Sequence, residues 1–524
     1  MAQIQVSNLT FSYEGSSDTI FNQMSFTIDT DWKLGLIGRN GKGKTTFLNL
    51  LLGRYEYTGT IHKATIFDYF PYQIPETWRT KCGAELMTYM KPDCEEWRVL
   101  CELNELETDA GILYQPFETL SCGERTKLML AVLFSGENDF LLIDEPTNHL
   151  DQRARESVKQ YLHGKKSYIL VSHDRDLLDA CIDHVLVLNR QTIEVQSGNF
   201  SSWWENKMRK DAFSLAENEK HIKEIGKLKK ASGRVRQWAD SNERTKIGFD
   251  PIKEHDRFLN TRAHIGAKTK KLQSRVKQME ERIDREIEEK EGLLKDIENP
   301  VDLKLFALSH HKEVLLTLKE YGLTYLGAEE PVFQNLNLAL CQGERVFLHG
   351  KNGCGKSSLM QAVLDNAALT EVHSKDNGEA VDRDTMRKGC YAESGLLKTA
   401  SGLKISYINQ DTSFLKGSIQ RFCAQRGLSE SLFCSICRQL DLDRVQFSKN
   451  IEDFSEGQKK KVLIAASLLT PAHLYIWDEP LNYVDVFSRM QLEKMILSYK
   501  PTMLIVDHDV RFRERIATKV IEMT

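Results

Sequence analysis

The sequence predicts an α/β protein built as two tandem copies of one domain, joined by a charged, antiparallel α-helical coiled-coil hairpin. Three observations carry that prediction. A glycine-rich motif near the start recurs 312 residues later, and Tyr13 with Tyr325 and Phe21 with Phe333 keep the same spacing. Each copy alternates short apolar runs with helical patterns, as strands and crossover helices around a parallel sheet do. Between the copies lie about a hundred residues, rich in charge, in which apolar positions recur in steps of three and four, as in paired helices.

The 524 residues are too many for one core. The expected division is a first domain at 1–202, the hairpin at 203–300 with its tip at about 239–261, and a second domain at 301–524. A composition of 41% hydrophobic and 28% charged residues is that of an ordinary globular protein. No apolar run is long enough to span a bilayer, and the first residues lack the basic and apolar regions of a signal peptide, which predicts a cytoplasmic protein away from membranes. The odd number of cysteines, 11, suits a reducing compartment. Cys434 and Cys437 have no second pair or nearby histidines, so they read as buried helix positions. Net charge is −4, yet His221 to Gln278 holds 16 Lys/Arg against 6 Asp/Glu, a local +10 that leaves −14 on the rest. A basic arm on an acidic body points to a nucleic-acid partner.

Each glycine-rich motif has the form G-x-x-x-x-G-K-[ST], spanning Gly38 to Thr45 and Gly350 to Ser357. Each follows a short apolar strand and opens a helix, the setting a P-loop needs. Gly38, Gly41 and Gly43, like Gly350, Gly353 and Gly355, let backbone N–H groups cradle phosphate oxygens at a helix N-terminus. Asn40, Thr46, Asn352 and Ser358 belong to the same ATP-binding loops. Lys44 and Lys356 would neutralise the β- and γ-phosphates, while Thr45 and Ser357 would ligate the Mg²⁺ carried with ATP.

Apolar strands ending at Ile143 and Trp477 lead into Asp144-Glu145 and Asp478-Glu479. Adjacent residues at a strand end point to opposite sides, so two roles are expected. Asp144 and Asp478 suit Mg²⁺, and Glu145 and Glu479 suit orienting or deprotonating the attacking water. His173 and His508 end two further apolar strands, 28 and 29 residues beyond those glutamates, where each could sense the γ-phosphate. Ser121 with Gly123, and Ser455 with Gly457, precede helical patterns and provide a second anion-binding device.

This ordered set, with Gln73 and Gln410 between the loop and the Ser-x-Gly element, resembles the ATP-binding cassette superfamily over nearly all of the chain outside the hairpin. The resemblance implies that Tyr13 and Tyr325 stack on adenine and that Gln73 and Gln410 meet ATP and Mg²⁺. It also implies a monomer whose cassettes close head-to-tail on two ATPs, Lys44 facing Ser455 and Lys356 facing Ser121. Cys122 stands where the pattern has glycine, which is expected to weaken that element rather than abolish it. The stretch from Pro480 to Asp485 also departs from its counterpart, Pro146 to Asp151. Two hydrolysis-competent sites are expected, with no requirement for equal turnover.

In the hairpin the first apolar stripe runs through Met208, Leu215, Ile222, Ile225, Leu228 and Val235. The second runs through Leu272, Val276, Met279, Ile283, Ile287, Leu294 and Ile297. Gly248 and Pro251 mark the crossover. Trp238, Arg244, Lys246, Phe249, Lys253, Arg257 and Phe258 gather aromatic and basic groups near it, a combination suited to RNA.

Tandem cassettes with such a hairpin resemble the ABC-F group of ribosome-associated ATPases. Within that group, the stretch from Trp477 to Asp485 and the stretch from Ile265 to Glu280 resemble the antibiotic-resistance branch typified by the Lsa, Sal and Vga proteins, and its clostridial members in particular. That resemblance implies ATP-dependent binding at the E site of the 70S ribosome, near 23S rRNA of the peptidyl-transferase centre. It further implies displacement of P-site tRNA and of pleuromutilins, lincosamides and streptogramin A. A housekeeping translation factor of the same group, or the ATPase subunit of an exporter, are the alternatives. Lys356 and Gln410 are 54 positions apart against 29 for Lys44 and Gln73, so a polar surface insertion is expected at about 374–402.

Overall fold

The computed structural model describes residues 3–13, 19–40, 43–63, 65–136, 139–148, 150–188, 193–247, 303–328, 330–351, 353–375, 391–442 and 444–523, with isolated positions between 274 and 285. The chain parts into two compact units. One comprises Met1–Ser201 with Pro300–Thr524, and the other Ser202–Asn299.

The first half of the larger unit opens with β1 (Gln3–Ser12) and β2 (Thr19–Asp29), which pair antiparallel with each other and, through β1, with β4 (Thr58–His62). Its main sheet has the order β5-β6-β7-β3-β8-β9. These strands are β3 (Lys33–Ile37), β5 (Ile66–Phe70), β6 (Asp139–Asp144), β7 (Tyr168–Val171), β8 (His184–Leu188) and β9 (Ile193–Ser197). All pairings in it are parallel except β8 with β9. Strands buried on both faces read as continuous apolar runs. Phe140, Leu142 and Ile143 of β6 and Ile169 and Leu170 of β7 are accordingly inaccessible. The helices are α1 (Lys44–Leu51), α2 (Gly83–Met90), α3 (Glu96–Glu105), α4 (Cys122–Phe134), α5 (Gln152–Gly164) and α6 (Arg175–Cys181).

The second half repeats the plan. Strands β10 (Val314–Tyr325), β11 (Phe333–Cys341) and β13 (Tyr391–Thr399) form the antiparallel sheet. The parallel sheet runs β14-β15-β16-β12-β17. Its strands are β12 (Arg345–His349), β14 (Ile405–Ile408), β15 (Leu474–Asp478), β16 (Met503–Val506) and β17 (Lys519–Glu522). The helices of this half, after α7 (Phe200–Ile247), are α8 (Lys356–Lys375), α9 (Ile419–Arg426), α10 (Glu430–Gln439), α11 (Glu456–Leu469), α12 (Val486–Tyr499) and α13 (Val510–Ile516). In both halves the glycine-rich loop, the Asp-Glu pair and the histidine follow three adjacent parallel strands, β3, β6 and β7 in one and β12, β15 and β16 in the other. They share the carboxyl edge of the sheet, where ligands of such folds bind.

Two expectations are corrected. Of the proposed insertion at 374–402, residues Tyr391–Thr399 form β13, which pairs with β10 as β4 pairs with β1. The extra length therefore precedes that strand. Part of it lengthens α8 to 20 residues against 8 in α1, and residues 376–390 lie outside the described ones. Helix α7 (Phe200–Ile247) takes its first two residues from the larger unit and the rest from the smaller, and is 48 residues long, roughly 70 Å of helix. It continues past Ala239, where the crossover was expected, because no glycine or proline interrupts the chain between there and Gly248. Trp238, Arg244 and Lys246 lie on its last turns. Phe249, Lys253, Arg257, Phe258 and most of the second apolar stripe lie outside the described residues.

Candidate active site

Each glycine-rich loop turns into its helix through a glycine that no other residue could replace without strain. Gly43 has φ +90 and Gly355 φ +89. A Cβ on Gly43 would meet Ile20 at 2.7 Å, and one on Gly355 would meet Val332 at 2.6 Å. The lysines that follow fold back over their own loops. Lys44 Nζ donates to Gly38 O at 2.7 Å and approaches Asn40 Oδ1 at 3.4 Å, while Lys356 Nζ donates to Gly350 O at 2.9 Å and Lys351 O at 2.7 Å. Gly41 and Asn352 lie outside the described residues. Burial lowers the Lys44 ammonium, opposed by the charges of Asp485, Glu145 and Asp144. The tyrosine hydroxyls meet the helix starts in both halves, Tyr13 with Thr46 at 2.8 Å and Tyr325 with Ser358 at 2.6 Å.

The residues expected to hold Mg²⁺ are likewise joined. Thr45 Oγ1 donates to Asp144 Oδ2 at 2.9 Å, and Ser357 hydrogen-bonds Asp478. Burial raises both carboxyls, and Asp478 Oδ1 is a buried acceptor without a donor. Hard oxygen donors with a deficit of positive charge fit Mg²⁺ held jointly with nucleotide phosphates. Among the described residues no cluster of three or more His, Cys, Asp or Glu is arranged to hold an ion by itself. Cys434 and Cys437 sit on α10, and burial pushes the Cys437 thiol well up.

Glu145 and Glu479 both adopt left-handed backbone, φ +52 and +47. For a non-glycine residue this is strained, and strain of this kind gathers at functional sites. Their N–H groups donate to Val171 O and Val506 O, each at 2.9 Å, which ties each glutamate to the strand that delivers the histidine. His173 Nε2 lies 3.4 Å from Glu145 Oε1, and His508 Nε2 lies 3.5 Å from Glu479 Oε1.

Beyond that the sites differ. Gln410 Nε2 donates to Glu479 Oε2 at 2.8 Å and Asn482 Nδ2 donates to the same oxygen at 2.6 Å. Gln73 and Gln410 are both exposed, and in the first site Tyr69, which the sequence did not single out, reaches Asp144 Oδ2 at 3.2 Å. Burial and the adjacent Asp144 charge push the Glu145 carboxyl up to about 8, against Lys44 and Arg489. Burial acts the same way on Glu479, but hydrogen bonding from His508 and the charges of His508 and Lys460 hold it below its ordinary value. Burial, with Lys44 and Arg489, keeps His173 well below the usual histidine range, hence neutral.

A protonated carboxyl cannot take a proton from water, so the sites should separate by pH. With Glu479→Gln, kcat/KM of the remaining first site rises with pH until about 8, about tenfold per pH unit below it. With Glu145→Gln, the remaining second site is flat through neutrality. Superimposable pH profiles of the two variants would remove the distinction.

The Ser-x-Gly elements cap α4 and α11. Ser121 and Ser455 each close a capping box, with Glu124 and Gln458 respectively. In the first, the Ser121 hydroxyl donates to the Glu124 carboxylate at 2.7 Å. That puts a negative charge at a helix end suited to anions, whereas Gln458 is neutral.

The two halves meet across the first site. Asn40 Nδ2 donates to Tyr483 O at 2.7 Å, Arg39 pairs with Asp441 at 3.3 Å, and a Cβ on Gly457 would lie 3.1 Å from Asn40 Nδ2 and 2.5 Å from Tyr483 O. The Ser-x-Gly element of the second half thus lies against the phosphate loop of the first. On the other side, Arg513 joins Gln152, at 3.4 Å, to His349, at 2.9 Å, one residue before Gly350.

The sequence model described as ABC transporter matches residues 21–148 and 333–482, the stretches that hold both sites. The chain belongs to the ABC transporter family. It is an ATP-hydrolysing enzyme with two ABC cassettes. No helix among its described residues is long and apolar enough to cross a membrane.

Among curated relatives, the ribosome protection protein VmlR of Bacillus subtilis is 25% identical, over 96% of this chain and 84% of its own. The erythromycin resistance ATP-binding protein MsrA of Staphylococcus epidermidis is 24% identical, over 94% of this chain and 92% of its own. Among solved structures, an archaeal ribosome recycling factor, aABCE1, in complex with the ribosomal stalk protein aP1, superposes with a TM-score of 0.57 at 17% identity, over 98% of this chain and 87% of that one. At that identity the likeness is one of fold.

Proposed function

We propose that this ABC ATPase is a ribosome-binding member of the ABC-F group. In this reading ATP closes the cassettes over the E site, and the segment between them reaches toward the peptidyl-transferase centre. There it displaces pleuromutilins, lincosamides and streptogramin A. The observation that carries the reading is the pairing of cassettes within one chain, seen at Asn40, Gly457 and Tyr483, in a chain whose 48-residue helix enters a basic segment. A protein that pairs its own cassettes has no need of a second copy, and a basic arm suits a polyanion. The names of VmlR and MsrA, a ribosome protection protein and an erythromycin resistance protein, support ribosome association and drug resistance in general, not the choice of drugs.

In the proposed mechanism Lys44 and Lys356 leave their loop carbonyls for the β- and γ-phosphates. Thr45, Asp144, Ser357 and Asp478, with Gln73 and Gln410, would hold Mg²⁺, which would neutralise charge on the phosphates. Ser455 faces the first γ-phosphate and Ser121 the second, while Tyr13 and Tyr325 stack on adenine. Glu145 and Glu479 accept a proton from the attacking water, and His173 and His508 contact the γ-phosphate. Hydrolysis then reopens the cassettes.

The test is sedimentation of the Glu145→Gln, Glu479→Gln protein with 70S ribosomes through a sucrose cushion. Co-pelleting that requires ATP supports the clamp, and protein left in the supernatant with and without ATP overturns it. Reversing the charges of Lys246, Lys253 and Arg257 should weaken that binding and reduce its salt slope by about one unit for each phosphate no longer neutralised. An unchanged slope would remove the RNA contact. Expression in a susceptible host that leaves the inhibitory concentration of a pleuromutilin and a lincosamide unaltered would overturn the drug part alone.

A further inference from the structure

Away from both nucleotide sites, the start of α7 is held by side chains from both cassettes. Asp179, on α6 of the first cassette, accepts the Ser201 N–H at 2.7 Å through Oδ1 and the Ser201 hydroxyl through Oδ2. Ser201 lies in the first turn of α7, where N–H groups have no acceptor within the helix. Asp179 therefore supplies, from a different helix, the cap that a neighbouring side chain usually provides, and it places a negative charge at the positive helix end.

The same Oδ2 lies 2.6 Å from Arg511 Nη2, on α13 of the second cassette. Arg511 also donates to Ser201 Oγ at 3.3 Å and, through Nε, to Asp176. One carboxylate is thus shared between the root of α7 and a cation of the opposite cassette. The repeat itself sets this up, for Asp176 stands three residues after His173 as Arg511 stands three after His508. Equivalent positions carry opposite charges and meet.

The surroundings tie this group to the cassettes as bodies. Beside it Arg175 of α6 pairs with Glu493 of α12, both buried, with Nη1–Oε2 at 3.3 Å. Glu493 also binds Arg515 at 3.0 Å, and Asp509, next to His508, binds Arg489 at 2.9 Å. Both α6 and α13 begin within two residues of a site histidine.

We propose that Asp179, Arg511 and Ser201 form the joint through which closure of the cassettes on ATP fixes the start of α7. Asp179 and Ser201 belong to the first cassette and its exit, while Arg511 travels with the second. Closure brings the guanidinium to the carboxylate and hydroxyl that hold the helix end, and opening removes it. A ligand shifts an element only through contacts that differ between two states, and these are such contacts. The proposal rests on the ATP-driven closure proposed above.

The experiment is hydrogen exchange on the full chain carrying Glu145→Gln and Glu479→Gln, with and without ATP. Peptides holding Asn40 and Gly457 report closure, and amides of Ser201 to Trp204 report the joint. The expected result is that ATP slows exchange at both, by about fivefold or more at the helix start. Adding Arg511→Gln should leave the closure response and remove the helix response, and Arg511→Lys should restore part of it. Asp179→Asn, which keeps an acceptor oxygen but not the charge, should behave as Arg511→Gln does. A helix response that survives both Arg511→Gln and Asp179→Asn overturns the joint, as does closure without any response at Ser201. If neither region responds to ATP, closure itself fails and the joint with it.

Discussion

The chain carrying Glu145→Gln and Glu479→Gln should hydrolyse ATP about 10²- to 10⁴-fold more slowly than the unaltered chain, the range expected for loss of a general base, and should still bind ATP. Glutamine keeps the shape of each side chain, and the backbone that presents it is fixed by other groups, the carbonyls of Val171 and Val506. The lysines that would bind phosphate, Lys44 and Lys356, hydrogen-bond their own loops rather than the glutamates. Binding and proton transfer are therefore separable. Phosphate release in single and double variants, alongside binding of a fluorescent ATP analogue, checks the expectation. A loss below about tenfold in the double variant would mean that neither glutamate acts as the base. Weakened ATP binding equal to the loss of turnover would show that the carboxylates support the loops instead.

The positions of the glycine-rich loops, the Asp-Glu pairs and the histidines were legible because each is a short contiguous motif at the end of an apolar strand. Phosphate cradling requires glycine at fixed spacing, and duplication at 312 residues removed the ambiguity of a single match. The partner of the first loop was legible only through resemblance, since Asn40 and Tyr483 are 443 positions apart and no local pattern pairs them. The same holds for Arg175 with Glu493 and for Arg511 with Asp179. Those contacts exist only once two sheets are folded and apposed. The contrast between Glu145 and Glu479 was illegible for a related reason: the residues match, but Gln410 and Asn482 reach Glu479 in one site while Tyr69 reaches Asp144 in the other. Strand β13 was hidden in polar sequence because an edge strand of a half-exposed sheet carries little apolar pattern. The reach of α7 to Ile247 was underestimated because polar residues were read as a turn where no breaker stood.

Replacing Lys461 with methionine should destabilise the second cassette by about 3–5 kcal/mol, the usual cost of stranding a buried charge. Lys461 Nζ lies 2.7 Å from Asp485 Oδ2, and the two side chains are 1% and 0% exposed. Asp485 also caps α12, accepting from the Ser488 N–H at 3.0 Å and the Ser488 hydroxyl at 2.9 Å. Burial alone would raise its carboxyl, but the charge and hydrogen bond of Lys461 pull it well below the ordinary range. A carboxylate depressed in the folded state contributes stability above its unfolded value, about 3.9, and that contribution fades as pH falls toward the folded value. The unaltered chain should therefore keep this contribution at neutral pH and lose it only in acid, whereas Lys461→Met lacks it at neutrality.

Because two cassettes need not unfold together, the measurement is hydrogen exchange of β15 amides in rising urea. The double variant Lys461→Met, Asp485→Asn should recover much of the loss, since it leaves no unpaired charge. Recovery of nothing would show that the cost lies in packing. The same pair also bears on the first ATP site, because the Asp485 charge is among those that favour the Lys44 ammonium against its burial. Lys461→Met should thus disturb ATP turnover at the site of Glu145 more than at the site of Glu479. Equal disturbance of both sites would confine the role of the pair to the fold of the second cassette.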